Sequence, residues 1–371
     1  MRLSPDPALC NFDLGQNINS VKLPIHWREM SHRTASGSKL SLTPSGSACI
    51  RSQLMKAIFL KNDTDASNLL GEGTIKVPTP GAGEVLVQVC AAGVTPPELG
   101  WFPTRHSKTG ERRRQPIPGH EFSGVVKAVG SGVTEVSVGE EVFGMNDWFA
   151  DGAMAEYCLT VPAAIAPKPC RLTHAEAASV PISALTAWQC LFDRANLLDG
   201  DWVLVQGGAG AVGVYAVQLA RTHGAYVTAT ARPENFDLLK KLGANEVIDY
   251  RTDYFAQNAT RFDAVIDVVG GRTLDQSWEL LKPKGQMVTI ASSSAESTDE
   301  RVKAAFLLVT PNRRQLLEIA SMLDTGRLKT VVDTVVPFAH ARDAYLGHLA
   351  NRRGQGKVVV EVYRPAKVQT A

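Results

Sequence analysis

Gly208, Gly210 and Gly213 form a G-x-G-x-x-G series within Trp202-Val-Leu-Val-Gln-Gly-Gly-Ala-Gly-Ala-Val-Gly-Val214. An apolar strand leads into the series, and a helix over 211–221 is expected to leave it. This spacing suits the binding of a pyrophosphate. Gly208 would permit the tight turn, Gly210 would let the backbone approach the phosphates, and Gly213 would let the helix pack on the strand. The helix start adds free N–H groups and partial positive charge. A bare series of this kind is a weak signal, since a Gly-rich turn can simply pack. The strand–turn–helix context is what reads as dinucleotide binding.

The choice of dinucleotide turns on the end of the next strand, Thr228-Ala-Thr-Ala-Arg-Pro233, which has no acid before Glu234. A site for NAD would carry Asp or Glu there for the ribose 2′-hydroxyl. Thr230 and Arg232 could instead bind a 2′-phosphate. NADPH is therefore the expected cofactor, against the plainer reading of Arg232 as a solvated surface residue.

The elements that must hold this site fall into two textures. Strands are expected at Met55–Leu60, at Glu84–Cys90 with Val85, Val87 and Val89 on one face, and at Phe122–Val129 before Gly130-Ser-Gly132. Strands separated by Gly/Pro turns predict an antiparallel β domain. From Asp201 strand and helix alternate, with strands expected at 202–206, 226–230, 246–248, 264–269, 286–291 and 304–309. Six of them suit a doubly wound parallel sheet, so the fold class is α/β. The boundaries predicted are an extension at 1–54, a first part of the β domain at 55–182, a cofactor domain at 183–330, and a return to the β domain at 331–371.

Residues 1–54 hold six Lys or Arg against three Asp or Glu, with no acid from Met30 to Leu54. That composition suits a mitochondrial transit segment, a disordered extension, or a start at Met30 or Met55. The whole chain of 371 residues has a net charge of +2, which argues against a nucleic-acid partner. No apolar run is long enough for a membrane span. The six cysteines form no C-x-x-C pair, so reduced thiols are expected, in the cytoplasm or alternatively in mitochondria.

From Met55 onward the text resembles the medium-chain dehydrogenase/reductase superfamily, in particular its zinc-independent quinone-reductase-like branch. The segments that carry the resemblance are Gly119-His-Glu-Phe-Ser-Gly124, Asp151-Gly-Ala-Met-Ala-Glu-Tyr157 and Leu185-Thr-Ala-Trp188, together with the glycine turn. Gly243-Ala-Asn-Glu-Val-Ile-Asp-Tyr250, Val265-Ile-Asp-Val-Val-Gly-Gly271 and Gly356-Lys-Val-Val-Val360 extend it. The resemblance implies a GroES-like β domain interrupted by a Rossmann domain, with the active site in the cleft between them. It implies that Thr186 contacts the nicotinamide region and that Gly207, Gly208, Gly210, Ala211, Val212 and Gly213 hold the pyrophosphate. Thr230 and Arg232 would take the 2′-phosphate, Tyr250 would pack near the adenosine, Phe306 would approach the nicotinamide, and Lys357 would contact phosphate. A homodimer is a frequent arrangement in the family.

Gly119-His120-Glu121 also matches zinc-type alcohol dehydrogenases, in which the His is a ligand. Their first ligand is a Cys, where this chain has Thr95, a poor zinc ligand. The third-ligand region, Ser183-Ala-Leu-Thr-Ala-Trp188, has no Cys, Asp or Glu. No metal is therefore expected, and His120 reads as a structural histidine or a modest proton source. Without a Lewis acid, a conjugated carbonyl is the accessible hydride acceptor, so quinone or enone reduction is expected. Thr95 and His120 are the candidate acids, with solvent as the alternative. Trp101, Phe102, Trp148 and Phe149 could wall a planar small-molecule substrate, or could simply pack. The loop Thr104–Gln115 carries Arg105, Lys108, Arg112, Arg113 and Arg114 against Glu111. It suits either solvent or the phosphates of a coenzyme-A thioester, which keeps an enoyl-thioester reductase as the alternative. A zinc alcohol dehydrogenase and a non-catalytic NADPH sensor are the others.

Overall fold

The computed structural model describes residues 53–61, 69–252, 261–295, 297–350 and 352–363. The expectations for 1–52 lie outside them. Strands β1 (Leu54–Leu60) and β2 (Leu70–Lys76) pair antiparallel. The chain then runs through β3 (Val85–Gly93), β4 (Glu121–Val129), β5 (Glu141–Met145), β6 (Tyr157–Thr160) and β7 (Ile165–Pro167). Next come β8 (Trp202–Gln206), β9 (Tyr226–Ala231), β10 (Glu246–Asp249), β11 (Phe262–Asp267) and β12 (Leu281–Thr289). Last are β13 (Val332–Pro337) and β14 (Lys357–Glu361).

Two larger sheets result among the described residues. One has seven strands in the order β13-β14-β3-β4-β5-β7, with β6 also paired to β3. The other has five, all parallel, in the order β10-β9-β8-β11-β12. This is a GroES-like antiparallel part combined with a Rossmann-like parallel sheet. The C-terminal strand β14 pairs with β3 of the first part.

Strand β3 is buried on both faces rather than one. Val85, Val87 and Val89 join the β-domain core. Ala91 packs the other way, against Ala178 of the helix His174–Ala178 and Val359 of β14. In the parallel sheet, Val203 and Val205 enter one apolar core and Leu204 another, which explains the unbroken apolar run of β8.

The sixth strand expected at 304–309 is not part of the sheet. Residues Glu300–Ala305 form a helix, capped by Asp299, whose carboxylate accepts from Arg301 N. Only one bridge follows, between Phe306 and Thr289. The apolar run Phe306-Leu-Leu-Val309 resembles a strand in sequence, but Phe306, Leu307, Leu308 and Val309 line the cleft described below.

The turn after β8 divides its glycine roles differently from expectation. Gly207, not Gly208, takes the left-handed conformation, with φ of 74°. Gly208 is confined by packing: a Cβ there would lie 2.9 Å from the Cβ of Ala229. The helix begins at Gly213, where a Cβ would lie 2.4 Å from the Gly207 carbonyl oxygen. Alanine normally favours a helix over glycine by about 1 kcal/mol, but here the backbone cannot yield. We expect Gly213→Ala to lower stability by about 1–3 kcal/mol, read as a lower urea midpoint. A higher midpoint would mean that the close approach does not require glycine.

Candidate active site

Strands β14, β3 and β4 lie side by side, and their ends deliver three polar side chains to one place. Thr95 follows β3, Glu121 opens β4 and Lys357 opens β14. The junction is tied to the parallel sheet by backbone, because Gly356 N donates to Ala209 O at 2.9 Å. A cleft of about 510 Å³ opens there. Thr95, Trp101, Ser183, Thr186, Phe306 and Lys357 line it, together with Gly210, Ala211 and Val212 of the glycine turn.

Lys357, expected to contact phosphate, is engaged within the protein. Its Nζ donates to Thr95 Oγ1 at 2.8 Å and forms an ion pair with Glu121 Oε1. Both charged side chains are shielded, with 6% and 0% exposure. The other carboxylate oxygen of Glu121 accepts from Ile182 N at 3.0 Å, at the start of the helix Pro181–Trp188. Burial pushes the Glu121 carboxyl above its usual range, while the Lys357 ammonium pulls it back. Gly93 leaves room for this carboxylate, since a Cβ there would lie 2.5 Å from Oε1.

His120 is fully buried, and both ring nitrogens have partners. Nδ1 meets Glu98 Oε2 at 2.5 Å and Nε2 meets Ala150 O at 3.2 Å. Glu98 and Ala150 thus occupy both ring nitrogens. Glu98 also accepts from Gly119 N at 3.0 Å and from the Tyr345 hydroxyl at 2.6 Å. His120 is thus a structural group, absent from the cleft lining, and this corrects its reading as a proton source. Burial, then Glu98, holds the Tyr345 hydroxyl far above its usual pKa. Glu98 and Tyr345 were missed from sequence. Glu98 stands three residues after Thr95, but nothing local marks Tyr345, 247 residues away.

At the other end of the glycine turn, Thr230 is buried and its hydroxyl is committed. It donates to Gln206 Oε1 at 2.7 Å and accepts from Gly207 N at 3.0 Å. Thr230 therefore braces the turn and cannot present its hydroxyl to a 2′-phosphate without breaking these bonds. Arg232 is exposed, and its Nε donates to the Tyr250 hydroxyl at 3.2 Å. This contact raises the Arg232 pKa, and Glu234 adds to it. The residues fit a dinucleotide. Gly210 turns a backbone face to the cleft whose prospective Cβ meets nothing closer than 3.4 Å. Ala211 and Val212 continue that face into the ten-residue helix Gly213–Thr222.

Of the four aromatic candidates, Trp101 alone lines the cleft. Trp148 backs it edge-on at 4.7 Å and donates to Val309 O at 2.9 Å. Phe102 is exposed and stacks on His106, and Phe149 lies under Lys108. The two phenylalanines are therefore not walls of this cleft. In the basic loop, Arg105 donates to Leu99 O, Arg113 binds Thr104 O, Ala150 O and Asp151, and Lys108 pairs with Asp147.

The donor set does not fit zinc. Where a ligand cluster would be required, Thr95 presents a hydroxyl, an ammonium sits beside it and His120 has both nitrogens engaged. Among the described residues, no group of three or more His, Cys, Asp or Glu could hold a metal. Nor is any helix there long and apolar enough to cross a membrane.

Residues 81–170 match the model of an alcohol dehydrogenase GroES-like domain, and 242–360 match that of a zinc-binding dehydrogenase. A chloroplastic quinone-oxidoreductase, QR1, of Triphysaria versicolor is 30% identical, covering 83% of this chain and 99% of its own. The 2-methylene-furan-3-one reductase of Solanum lycopersicum is 33% identical, covering 78% and 74%. The solved quinone oxidoreductase of Coxiella burnetii is 29% identical with a TM-score of 0.75, covering 84% and 100%.

The Glu98 hub yields a test that is separate from catalysis. Removing the buried hydroxyl in Tyr345→Phe should cost about 1.5–3 kcal/mol, as for a hydrogen bond to a charged group. Urea unfolding would read that loss, with cofactor affinity unchanged. An unchanged midpoint would show that Tyr345 does not help hold Glu98.

Proposed function

The chain belongs to the medium-chain dehydrogenase/reductase superfamily, in its quinone-reductase-like branch, and from that premise we propose that it reduces quinones or α,β-unsaturated ketones with NADPH and without zinc. It is an enzyme, an oxidoreductase that uses a nicotinamide cofactor and a small-molecule substrate. The observation that carries the narrower reading is the cleft itself. It joins the glycine turn to a wall of Trp101, Thr186 and Phe306, with an ammonium-backed hydroxyl in place of a metal cluster.

Gly207, Gly208, Gly210, Ala211, Val212 and Gly213 would hold the pyrophosphate, and Thr186 and Phe306 would flank the nicotinamide. Arg232, supported by Tyr250, would take the 2′-phosphate, and Thr230 would support it only through the turn. When bound, the cofactor supplies hydride. The chain's own residues orient the acceptor against the nicotinamide and exclude water from the cleft. Trp101 offers an apolar face to a planar acceptor. The Solanum relative is named for reduction of a methylene-furanone, a conjugated carbonyl, which supports the enone half of this reading.

Two measurements test it. Reduced-nicotinamide absorbance should fall with a benzoquinone, a naphthoquinone or a simple enone, with the rate unchanged by a chelator. Turnover only with an enoyl thioester would move the substrate class to thioesters, and no turnover with any of them would sink the proposal. Separately, Arg232→Ala should weaken NADPH binding about 10–100-fold, the loss of a charge-assisted phosphate contact. NADH binding should stay within about twofold, as expected for a residue that meets only the 2′-phosphate. Equal losses for both cofactors would remove Arg232 from that role.

A further inference from the structure

We propose that Glu121, Lys357 and Thr95 form a charge-backed oxyanion site, in which the Thr95 hydroxyl donates to the carbonyl oxygen of the acceptor while Lys357 orients and polarises it. The proposal rests on the reading of the cleft as a carbonyl-reducing site. It deepens that reading by assigning the group that stabilises the negative charge.

The geometry points one way. Lys357 has only donors, so Thr95 Oγ1 must accept in their 2.8 Å contact. The hydroxyl proton of Thr95 is then directed elsewhere, and among the described residues no acceptor engages it. Thr95 is half-buried and lines the cleft, so a substrate oxygen there can be that acceptor. Lys357 is held by Glu121, and Glu121 is held by Ile182 N. The cation therefore stands fixed behind the hydroxyl before any substrate arrives.

Preorganised donors of this kind act where charge develops, in a site that excludes water. Hydride adds to the β-carbon of an enone, or to a quinone, and the displaced π-electron pair settles on the carbonyl oxygen. The Thr95 O–H donates to that oxygen, and the Lys357 ammonium raises the strength of the donation. A proton from water later completes the enol or quinol. No proton leaves Lys357, so Glu121 is never left as an unpaired buried anion. Thr95 touches the reacting atoms, whereas Lys357 and Glu121 are positioning residues.

The test compares Thr95→Val, Thr95→Ser and the charge-free double variant Lys357→Met with Glu121→Gln, which avoids stranding either charge. With a quinone acceptor, Thr95→Val and the double variant should each lower kcat about 100–1,000-fold, the usual loss for one oxyanion donor. Thr95→Ser should retain most of the rate, and NADPH dissociation constants should stay within about threefold, as expected for residues not meeting the phosphates. Combining Thr95→Val with the double variant should add little further loss, because the groups act in series.

A second readout needs no turnover. 4-Nitrophenol bound with oxidised cofactor should ionise at lower pH than unbound 4-nitrophenol, seen as phenolate absorbance, and Thr95→Val and the double variant should abolish that shift. Unchanged kcat with much weaker NADPH binding in the double variant would return Lys357 to a phosphate role and overturn the proposal. So would failure of the phenol to bind, or its binding without favouring the anion. If the wild-type protein turns over none of the quinones and enones, it is the functional reading that fails, and the phenolate shift decides the oxyanion site by itself.

Discussion

A lysine ammonium and a glutamate carboxylate, both withdrawn from solvent, face each other where β14, β3 and β4 end. Removing one partner of such a buried pair typically costs about 3–5 kcal/mol, because the survivor is left uncompensated. That penalty constrains the whole neighbourhood. Lys357 must open β14, Glu121 must open β4, and Ile182 must offer its N–H from the helix beneath. The pairing of β14 with β3 and the backbone link from Gly356 to Ala209 then fix where the glycine turn stands relative to Thr95.

A second buried carboxylate does comparable work beside it. Glu98 gathers the adjacent Gly119 N and His120 together with the Tyr345 hydroxyl, drawn from two separate parts of the chain. Neither acid is solvated, and each is satisfied by donors that the fold supplies. The two clusters divide the labour: one closes the β part on itself, while the other faces the cleft. His120 and Glu121 are adjacent in sequence but point into different clusters, as alternation at the start of a strand requires.

The fold was legible where periodicity or composition is local. Strands β1, β3 and β4, the parallel β8 to β12 and the place of the glycine turn follow from apolar runs and from Gly placement, whereas the short β2, β5, β6 and β7 carry no such signal. The sixth strand failed because Phe306-Leu-Leu-Val309 is apolar and β-prone whether it enters a sheet or lines a cleft. In the site, Gly210, Ala211, Val212, Thr186 and Phe306 were found through the turn and the family pattern, and they do line the cleft. Lys357 is marked by the family pattern, whereas its contact with Thr95, spanning 262 residues, leaves no local trace. The Thr230 hydroxyl turns to Gln206, because side-chain direction at a strand end is decided by the neighbouring strand.

The two indoles at the cleft have an optical consequence. Trp101 faces the cavity, while Trp148, packed behind it at 4.7 Å, donates to Val309, which also lines the cavity. A molecule seated against Trp101 changes the surroundings of one ring directly. Two of the protein's six tryptophans thus stand at the cavity, one facing it and one bonded to its wall, so a seated molecule is expected to change the intrinsic fluorescence.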